Sequence, residues 1–254
     1  MSDQYVYLPE YYDALNAEVD YSAWAKGLAA NFKKYNVPDG ALVLDLACGT
    51  GSVALELAKE GYDLIGVDLS PEMLMRAREK SFEANSDILW LCQDMRSFEL
   101  YGTVGAIVCC LDSINYMLEE SDLEKCFSLA RNYLDPDGIF IFDVNTPYRF
   151  ENVFAKSDFI IENADEDVYC GWHNYYDSEK KICQFDLSIF AGDEDGNYIR
   201  LNESQHERAY PMETLKKLIT GAGLELLSVS STLNGDELAD DDERWFFICR
   251  KPAN

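Results

Sequence analysis

Positive charge is scarce in this chain of 254 residues. It carries 21 Lys and Arg against 47 Asp and Glu, which gives a formal net charge of -26, and it has only 2 histidines. A surface with that balance repels a polyphosphate backbone, which argues against DNA or RNA as a substrate or partner. It favours a small or cationic substrate, although a high net charge also serves solubility alone.

Long apolar runs, a basic leader and metal-binding spacings are also missing. No apolar stretch approaches the roughly 20 residues that a membrane-spanning helix needs. The N-terminal segment MSDQYVYLPEYYDAL lacks the basic start and apolar core of a secretory signal. The 8 cysteines form no CxxC pair, and no histidine lies at zinc-ligand spacing from them. We therefore expect a cytoplasmic protein with reduced thiols, no bound metal and no membrane contact.

What the sequence does contain, between residues 41 and 145, is an alternation of short apolar runs and amphipathic segments. Ser70 and Pro71 illustrate a predicted helix start, with an N-cap followed by proline at the first helical position. Strands that alternate with helices predict a parallel sheet that is covered by helices on both faces. Five apolar runs predict these strands: ALVLDLA (41–47), YDLIGVDL (62–69), DILWLCQD (87–94), GAIVCCLD (105–112) and, after a DPDG turn (135–138), IFIFDVN (139–145).

Residues 146–210 break this pattern. Three segments there predict antiparallel strands separated by DSEK and GDEDG turns: DVYCGWHNYYD, KKICQFDLSIFAG and NYIRLNESQHERAY. A helix (211–223) and two strands (224–233 and 243–251) follow, and the short acidic loop between these strands predicts a hairpin. The predicted fold is α/β, a Rossmann-like seven-stranded mostly parallel sheet with an antiparallel last strand and an inserted antiparallel β meander.

The stretch VLDLACGTG places an acid inside an apolar strand and then a glycine turn. Its continuation GTGSVA satisfies the G-x-G-x-x-G/A pattern, so an NAD(P)-dependent oxidoreductase is one hypothesis. Asp45, however, lies four residues before Gly49, where a carboxylate suits the ammonium group of a ligand and works against a pyrophosphate. Asp68 ends the second strand, where it can accept hydrogen bonds from both hydroxyls of a ribose.

The segment CQDM after the third strand completes this pattern. There Asp94 can accept a hydrogen bond from an adenine amino group, and Met95 can lie against the ring. Together these features describe a pocket for an adenosine that carries an amino-acid ammonium group and no phosphates. S-adenosylmethionine fits that description.

On these residues the chain resembles the class I S-adenosylmethionine-dependent methyltransferases. VLDLACGTG is similar to the first motif of the family, GVDLSPEML to the second, CQDM to the third and LDPDGIFIFD to the fifth-strand region. HERAY resembles a segment of small-molecule N-methyltransferases, including the glycine and aminosugar types. The resemblance implies direct in-line methyl transfer to a small molecule, with a nitrogen acceptor slightly favoured over oxygen.

The resemblance also implies which residues contact the methionine part of S-adenosylmethionine. The backbone at Ala47, Gly49 and Gly51 would approach the methionine moiety. Asp45 would lie near the ammonium group, and Leu111 would supply backbone there as well. For Asp45, capping of local backbone is the alternative role.

A second group of residues would contact the adenosine part. Asp68 would hold the ribose, with Leu69 and Met73 packed on the adenine. Asp94 and Met95 would fix the amino edge of the adenine.

The expected domain boundaries follow from the same resemblance. Residues 41–145 and 211–254 would form the S-adenosylmethionine-binding domain, and residues 146–210 an inserted substrate or lid region. Residues 1–40 would form an N-terminal helical lid. In that lid Tyr12 is the candidate for a cofactor contact, with core packing as the alternative.

Candidates for the acceptor side come from the segments LDSINYM, GWHNYY and QHERAY. The family places acceptor-side residues after the fourth strand, where Asp112, Asn115 and Tyr116 lie, although Asp112 could instead cap a helix. A histidine in a strand is more often a structural donor than a base, which applies to His173 and His206. We take Asn115, Tyr116 and His206 as the catalytic candidates, with His206 as the candidate general base.

Two alternatives to a methyltransferase stay open at this point. One is the oxidoreductase that would use the GTGSVA loop, and the other is a non-catalytic S-adenosylmethionine-binding protein. We also expect that the exposed edge of the β meander could pair two subunits into a homodimer. The sequence does not identify the methyl acceptor.

Overall fold

The computed structural model of the protein describes residues 7–193 and 195–253. Within these ranges the strands are β1 (Leu42–Leu46), β2 (Asp63–Asp68), β3 (Leu89–Cys92), β4 (Val104–Cys109), β5 (Leu134–Asn145), β6 (Phe159–Asn163), β7 (Val168–Asp177), β8 (Ile182–Gly192), β9 (Tyr198–Arg208), β10 (Glu225–Ser230) and β11 (Arg244–Arg250). The helices are α1 (Leu8–Leu15), α2 (Tyr21–Lys34), α3 (Ser52–Lys59), α4 (Pro71–Glu83), α5 (Glu120–Tyr133), α6 (Pro147–Arg149) and α7 (Met212–Gly221). Ser113–Tyr116 forms a 3₁₀ turn, and Phe150–Phe154 continues α6 as a π-helical turn.

Seven strands form one sheet in the order β10-β11-β5-β4-β1-β2-β3. β1 lies near the centre and pairs in parallel with β2 and β4, while β11 runs antiparallel to both β5 and β10. Because the chain reverses its direction of growth between β3 and β4, the carboxyl ends of β1 and β4 border a crevice. The predicted seven-stranded sheet with an antiparallel last strand is confirmed.

Apolar side chains bury both faces of this sheet. On one face, α5 and α7 cover β5 and β11, where the rings of Phe142 and Phe247 stack with centroids 4.9 Å apart. On the other face, α2, α3 and α4 pack around Leu28, Phe32 and Leu57, all with 0% exposure. Each fully buried side chain of this size contributes about 1.5–3 kcal/mol. The resulting scaffold fixes the strand ends that carry the polar residues.

The inserted β meander has four strands in the order β6-β7-β8-β9, where the sequence predicted three. The additional strand is Phe159–Asn163, a five-residue segment that pairs only with β7. Its apolar run covers only Phe159, Ile160 and Ile161, which is shorter than the runs of the core strands, and Ile160 is exposed. Such a short edge strand is defined by its pairing partner rather than by its own composition.

The DPDG segment, predicted as a turn, lies inside β5 instead. Asp137 adopts a positive φ of 63°, and the pairing register with β4 shifts between Val104 and Ala106. Hydrogen bonds of 2.9 Å join Asp137 N to Lys251 O and Lys251 N to Gly138 O. The turn-forming residues therefore make an irregularity at the start of β5, because the chain after β11 satisfies their backbone groups.

The two N-terminal helices pack in different places. The apolar face of α2 belongs to the core beneath α3, whereas α1 contacts α4, β6 and β7. Leu8 and Leu15 of α1 pack into an apolar cluster of the meander with Val168, Leu187 and Ile189. Within 7–193 and 195–253, no helix has the length and apolarity that crossing a bilayer requires.

Candidate active site

A crevice lies at the carboxyl ends of β1, β2 and β4. It consists of a cavity of about 220 Å³ and a smaller one of about 30 Å³, which share five lining residues. The larger cavity is lined by Tyr12, Ala47, Gly49, Val67, Asp68, Leu69, Met73, Gln93, Asp94, Met95, Arg96, Leu111, Ser113, Tyr116 and Met117. The smaller one adds, among others, Asp45, Thr50 and Ser52. Most of the residues predicted to bind a cofactor therefore come together here.

The glycine loop after β1 forms one wall of the crevice. Ala47, Gly49 and Gly51 all have positive φ, at 59°, 54° and 76°. At Gly51 a side chain would also collide with the ring of Trp90, so only glycine meets both demands. The loop thus turns tightly into α3. Ala47 and Gly49 line the cavities, whereas Gly51 lines neither and packs against Trp90 at the start of α3.

Asp68 lies at the end of β2 and holds the glycine loop. Its Oδ2 accepts from Gly49 N and its Oδ1 from Ser70 N, both at 2.8 Å. Burial raises the pKa of Asp68, and the hydrogen bonds from Ser70 and Gly49 oppose that shift. Because an ionised carboxylate offers about four acceptor positions, these contacts leave capacity for a ligand hydroxyl.

Asp45 forms the floor of the smaller cavity. Its side chain is buried, and its Oδ2 has no hydrogen-bond partner among the described residues. Burial raises the pKa of Asp45 to about 8, and the nearby Asp68 carboxylate adds to the shift. A buried carboxylate oxygen without a partner is costly unless a donor or cation fills the space beside it. This arrangement fits a ligand with an ammonium group.

On the opposite wall, Asp94 follows β3. Arg96 Nε donates to its Oδ1 at 2.9 Å and Arg96 Nη2 to its Oδ2 at 2.5 Å. These hydrogen bonds hold the pKa of Asp94 below its usual range. Asp94 and Met95 thus line the cavity as predicted, but the Asp94 carboxylate already has a partner in Arg96, which sequence analysis did not anticipate.

The helix α1 borders the crevice. Tyr12 lines both cavities, and burial raises its pKa well above the usual value. The neighbouring Asp13 accepts from Thr50 Oγ1 at 2.6 Å and from Lys80 Nζ at 2.7 Å. Asp13 is not predicted as a site residue from the sequence, because a carboxylate on a helix surface gives no sign of such partners.

A loop with backbone strain precedes the 3₁₀ turn that contains the predicted acceptor-side residues. Leu111 and Asp112 adopt positive φ in succession, at 58° and 56°, which costs about 1–3 kcal/mol for each residue. Asp143 holds the loop by accepting from Leu111 N at 2.7 Å and from Asp112 N at 2.9 Å. Arg244 forms ion pairs with Asp112 and Asp143. These contacts place the following 3₁₀ turn, so that Tyr116 lines the crevice.

The structure does not bring Asn115 or His206 into the crevice. Asn115 is fully buried and accepts from Asn145 N at 2.9 Å while donating to Arg208 O at 2.9 Å, so it joins two strand ends. His206 lines a separate cavity on the other side of β9 from Gln205, because side chains alternate along a strand. His173 is exposed and contacts Asp158.

Comparison with known proteins places the chain in the S-adenosylmethionine-dependent methyltransferase family. A methyltransferase domain model matches residues 43–138. YqeM of Bacillus subtilis (strain 168) is named as a methyltransferase, without a stated substrate. It is 33% identical to this chain over 241 residues, which is 94% of each chain. The crystal structure of an S-adenosylmethionine-dependent methyltransferase from Clostridium acetobutylicum ATCC 824 superposes with a TM-score of 0.86 at 29% identity, covering 95% of this chain and 96% of that one.

A third relative has a named substrate. The dTDP-3-amino-3,4,6-trideoxy-alpha-D-glucopyranose N,N-dimethyltransferase of Streptomyces venezuelae is 31% identical over 137 residues, 54% of each chain. With the family shown, the predicted S-adenosylmethionine-dependent methyltransferase is confirmed. The oxidoreductase hypothesis for the GTGSVA loop is set aside, and so is the non-catalytic binder.

Proposed function

We propose that this protein methylates an amine nitrogen of a small molecule. The binding of S-adenosylmethionine in this proposal is supported most by the Asp45 carboxylate, which is buried, unpartnered at Oδ2 and open to the crevice. In this proposal Asp45 binds the ammonium group of S-adenosylmethionine and Asp68 binds its ribose hydroxyls. Ala47 and Gly49 present backbone to the methionine moiety, together with Leu111.

The remaining lining residues take the adenosine. Leu69 and Met73 pack on the adenine, with Met95 beside them. Asp94, held in place by Arg96, accepts from the adenine amino group. Such contacts align the two reactants, which is the main contribution that a protein makes to a one-step displacement.

When bound, S-adenosylmethionine supplies a methyl group on a positively charged sulfur, which a neutral nitrogen takes in one displacement. The new bond joins the acceptor nitrogen to the methyl carbon, the carbon–sulfur bond breaks, and the nitrogen releases a proton to water. Tyr12 and Tyr116 border the crevice. Tyr116 is the candidate that contacts the acceptor.

Charge favours nitrogen over oxygen as the acceptor. The chain has a net charge of -26. Such a field concentrates cationic amines at the entrance. The relative from Streptomyces venezuelae, an N,N-dimethyltransferase, supports the same choice.

A panel of small molecules with methyl-labelled S-adenosylmethionine tests this proposal. The panel pairs primary amines, including amino sugars and amino acids, with analogues in which a hydroxyl replaces the amine. We expect label transfer to at least one amine and none to its hydroxyl analogue. Transfer confined to hydroxyl compounds would contradict the nitrogen assignment, and Asp68→Ala serves as the background control.

A further inference from the structure

A chain of buried hydrogen bonds begins at the first turn of α1. Glu203 on β9 accepts with Oε2 from the backbone N–H groups of Tyr7 at 3.1 Å and Leu8 at 3.0 Å. Glu203 is only 6% exposed. A carboxylate at the positive end of a helix is electrostatically favourable, so this contact fastens α1 to the meander.

The chain continues along the same face of β9. Gln205 Nε2 donates to Glu203 Oε1 at 3.0 Å. An ionised carboxylate can only accept, so Gln205 must turn its N–H groups toward Glu203 and its oxygen the other way. There Tyr116 Oη donates to Gln205 Oε1 at 2.7 Å.

This order fixes the direction of the last hydrogen bond. The single hydroxyl proton of Tyr116 is committed to Gln205, so toward any other group the oxygen can only accept. An N–H of an amine is a suitable donor for it. The direction of the hydrogen bond between Tyr116 and Gln205 therefore depends on Glu203, which contacts the first turn of α1.

Apolar packing does not explain why the polar side chains of Glu203 and Gln205 are buried on this face of β9. On the same face of the meander, the residues paired with Glu203 and Gln205 are Leu187 and Phe185, both buried and apolar. Buried polar groups cost free energy unless they are paired, and an apolar residue on β9 would fill this space more cheaply.

We propose that Glu203 and Gln205 are positioning residues that couple the position of α1 to Tyr116 and fix the Tyr116 hydroxyl as an acceptor toward the substrate. The identity of that substrate as an amine rests on the proposed function. Coupling of this kind is reciprocal, so removing Tyr116 Oη should loosen α1.

Hydrogen exchange tests the coupling without any methyl acceptor. The exchange rates of the Tyr7 and Leu8 amides are measured in protein saturated with S-adenosylhomocysteine. We expect Gln205→Leu and Tyr116→Phe each to accelerate exchange roughly fivefold, the effect of losing one buried hydrogen bond. The double variant should match Gln205→Leu alone. His206→Leu, one residue along β9 but on its other face, is the matched control and should exchange like the wild type.

Two outcomes of this experiment would overturn the coupling. One is unchanged exchange in both Gln205→Leu and Tyr116→Phe while Glu203→Ala accelerates it, which would make Glu203 a helix cap only. The other is equal acceleration in His206→Leu, which would indicate general loosening. Melting temperatures identify variants that fail to fold. In that case Glu203→Met, which also lacks an oxygen acceptor for the Tyr7 and Leu8 amides, replaces Glu203→Ala.

Kinetics with an amine from the panel give a second readout. Gln205→Leu and Tyr116→Phe should each lower kcat about tenfold, with KM for S-adenosylmethionine within about twofold of the wild type. In the Tyr116→Phe background, Gln205→Leu should cause no further loss, and additive losses would overturn the proposal. If no amine is methylated, the proposed function fails, while the exchange experiment still decides the coupling.

Discussion

At the scale of single residues, the Asp45 carboxylate should make cofactor binding depend on pH. Its pKa in the folded protein is raised from 3.8 to about 8, so the native state holds this proton more tightly than the unfolded chain does. The contribution of the group to stability is therefore full below about pH 4 and is lost as pH rises through about 8. An ammonium group beside it favours the ionised form.

We therefore predict that affinity for S-adenosylhomocysteine increases between pH 6 and 8, by up to about tenfold per pH unit. Isothermal titration calorimetry measures the profile. Asp45→Asn, which has the same shape and no titration, should bind weakly and show a flat profile over this window. A wild-type profile as flat as that of the variant would show that Asp45 does not contact the ammonium group.

Asp68 is the residue on which adenosine recognition should depend most. Asp68→Ala removes two charge-assisted hydrogen bonds to the ribose and should weaken S-adenosylhomocysteine binding at least about 100-fold, with the fold retained. Asp63→Ala, at the exposed opposite end of β2, is the matched control. Calorimetry that gave equal affinities for the two variants would contradict the assignment.

The sequence could predict which side chains line the crevice but not how they are paired. Asp45 lies one residue before the end of the first apolar strand, Asp68 ends the second and Asp94 follows the third. Parallel strand ends meet at one edge of a sheet. His206 was selected for its chemistry, whereas the alternation along β9 turns Gln205 to the Tyr116 side instead. Glutamine carries no catalytic signature, and its role depends on partners that are distant in the sequence.

At the scale of elements, α1 is tied to the rest of the protein at both ends. Its first turn contacts Glu203, and Asp13 in its last turn contacts Thr50 and Lys80. Because Leu8 and Leu15 still bury apolar surface on the meander, loss of the polar contacts should loosen α1 without detaching it.

Asp13→Ala tests whether this tie helps to retain the cofactor. We expect S-adenosylhomocysteine affinity to fall by about tenfold, because Thr50 and Lys80 lose a shared charged partner. Proteolysis within α1 should become faster as well. Glu10→Ala is the control and should behave like the wild type. It removes from the same helix an exposed carboxylate whose Oε1 lies 4.0 Å from Arg76 Nη2. Equal protease sensitivity of the two variants would argue against the tie.

The order of strands and helices was accessible from the sequence because each core strand is a continuous apolar run. β6 was not, since its five residues alternate in exposure and depend on β7 for pairing. The prediction of a turn at the DPDG segment was wrong for a related reason. Its residue types favour a turn, but backbone partners at Lys251 hold it in β5.

At the scale of the whole molecule, the net charge of -26 should govern encounter with the substrate. For a cationic amine we predict that kcat/KM falls several-fold between about 0.05 and 0.5 M salt, because ions screen the attraction. A neutral acceptor of similar size is the control and should show little change. Equal salt dependence for both would mean that the field does not steer the amine. Pairing of two subunits through the meander stays a prediction, which sedimentation can test.

The thiols of this protein differ sharply in accessibility. Seven of the eight cysteines are buried, while Cys92 is exposed at the end of β3, with Sγ 3.5 Å from the carbonyl oxygen of Leu69. A maleimide dye should therefore label the native protein once, next to a residue that lines the crevice. The unmodified sequence thus already contains the attachment point for a fluorescent reporter, with which acceptor libraries could be screened without radioactivity.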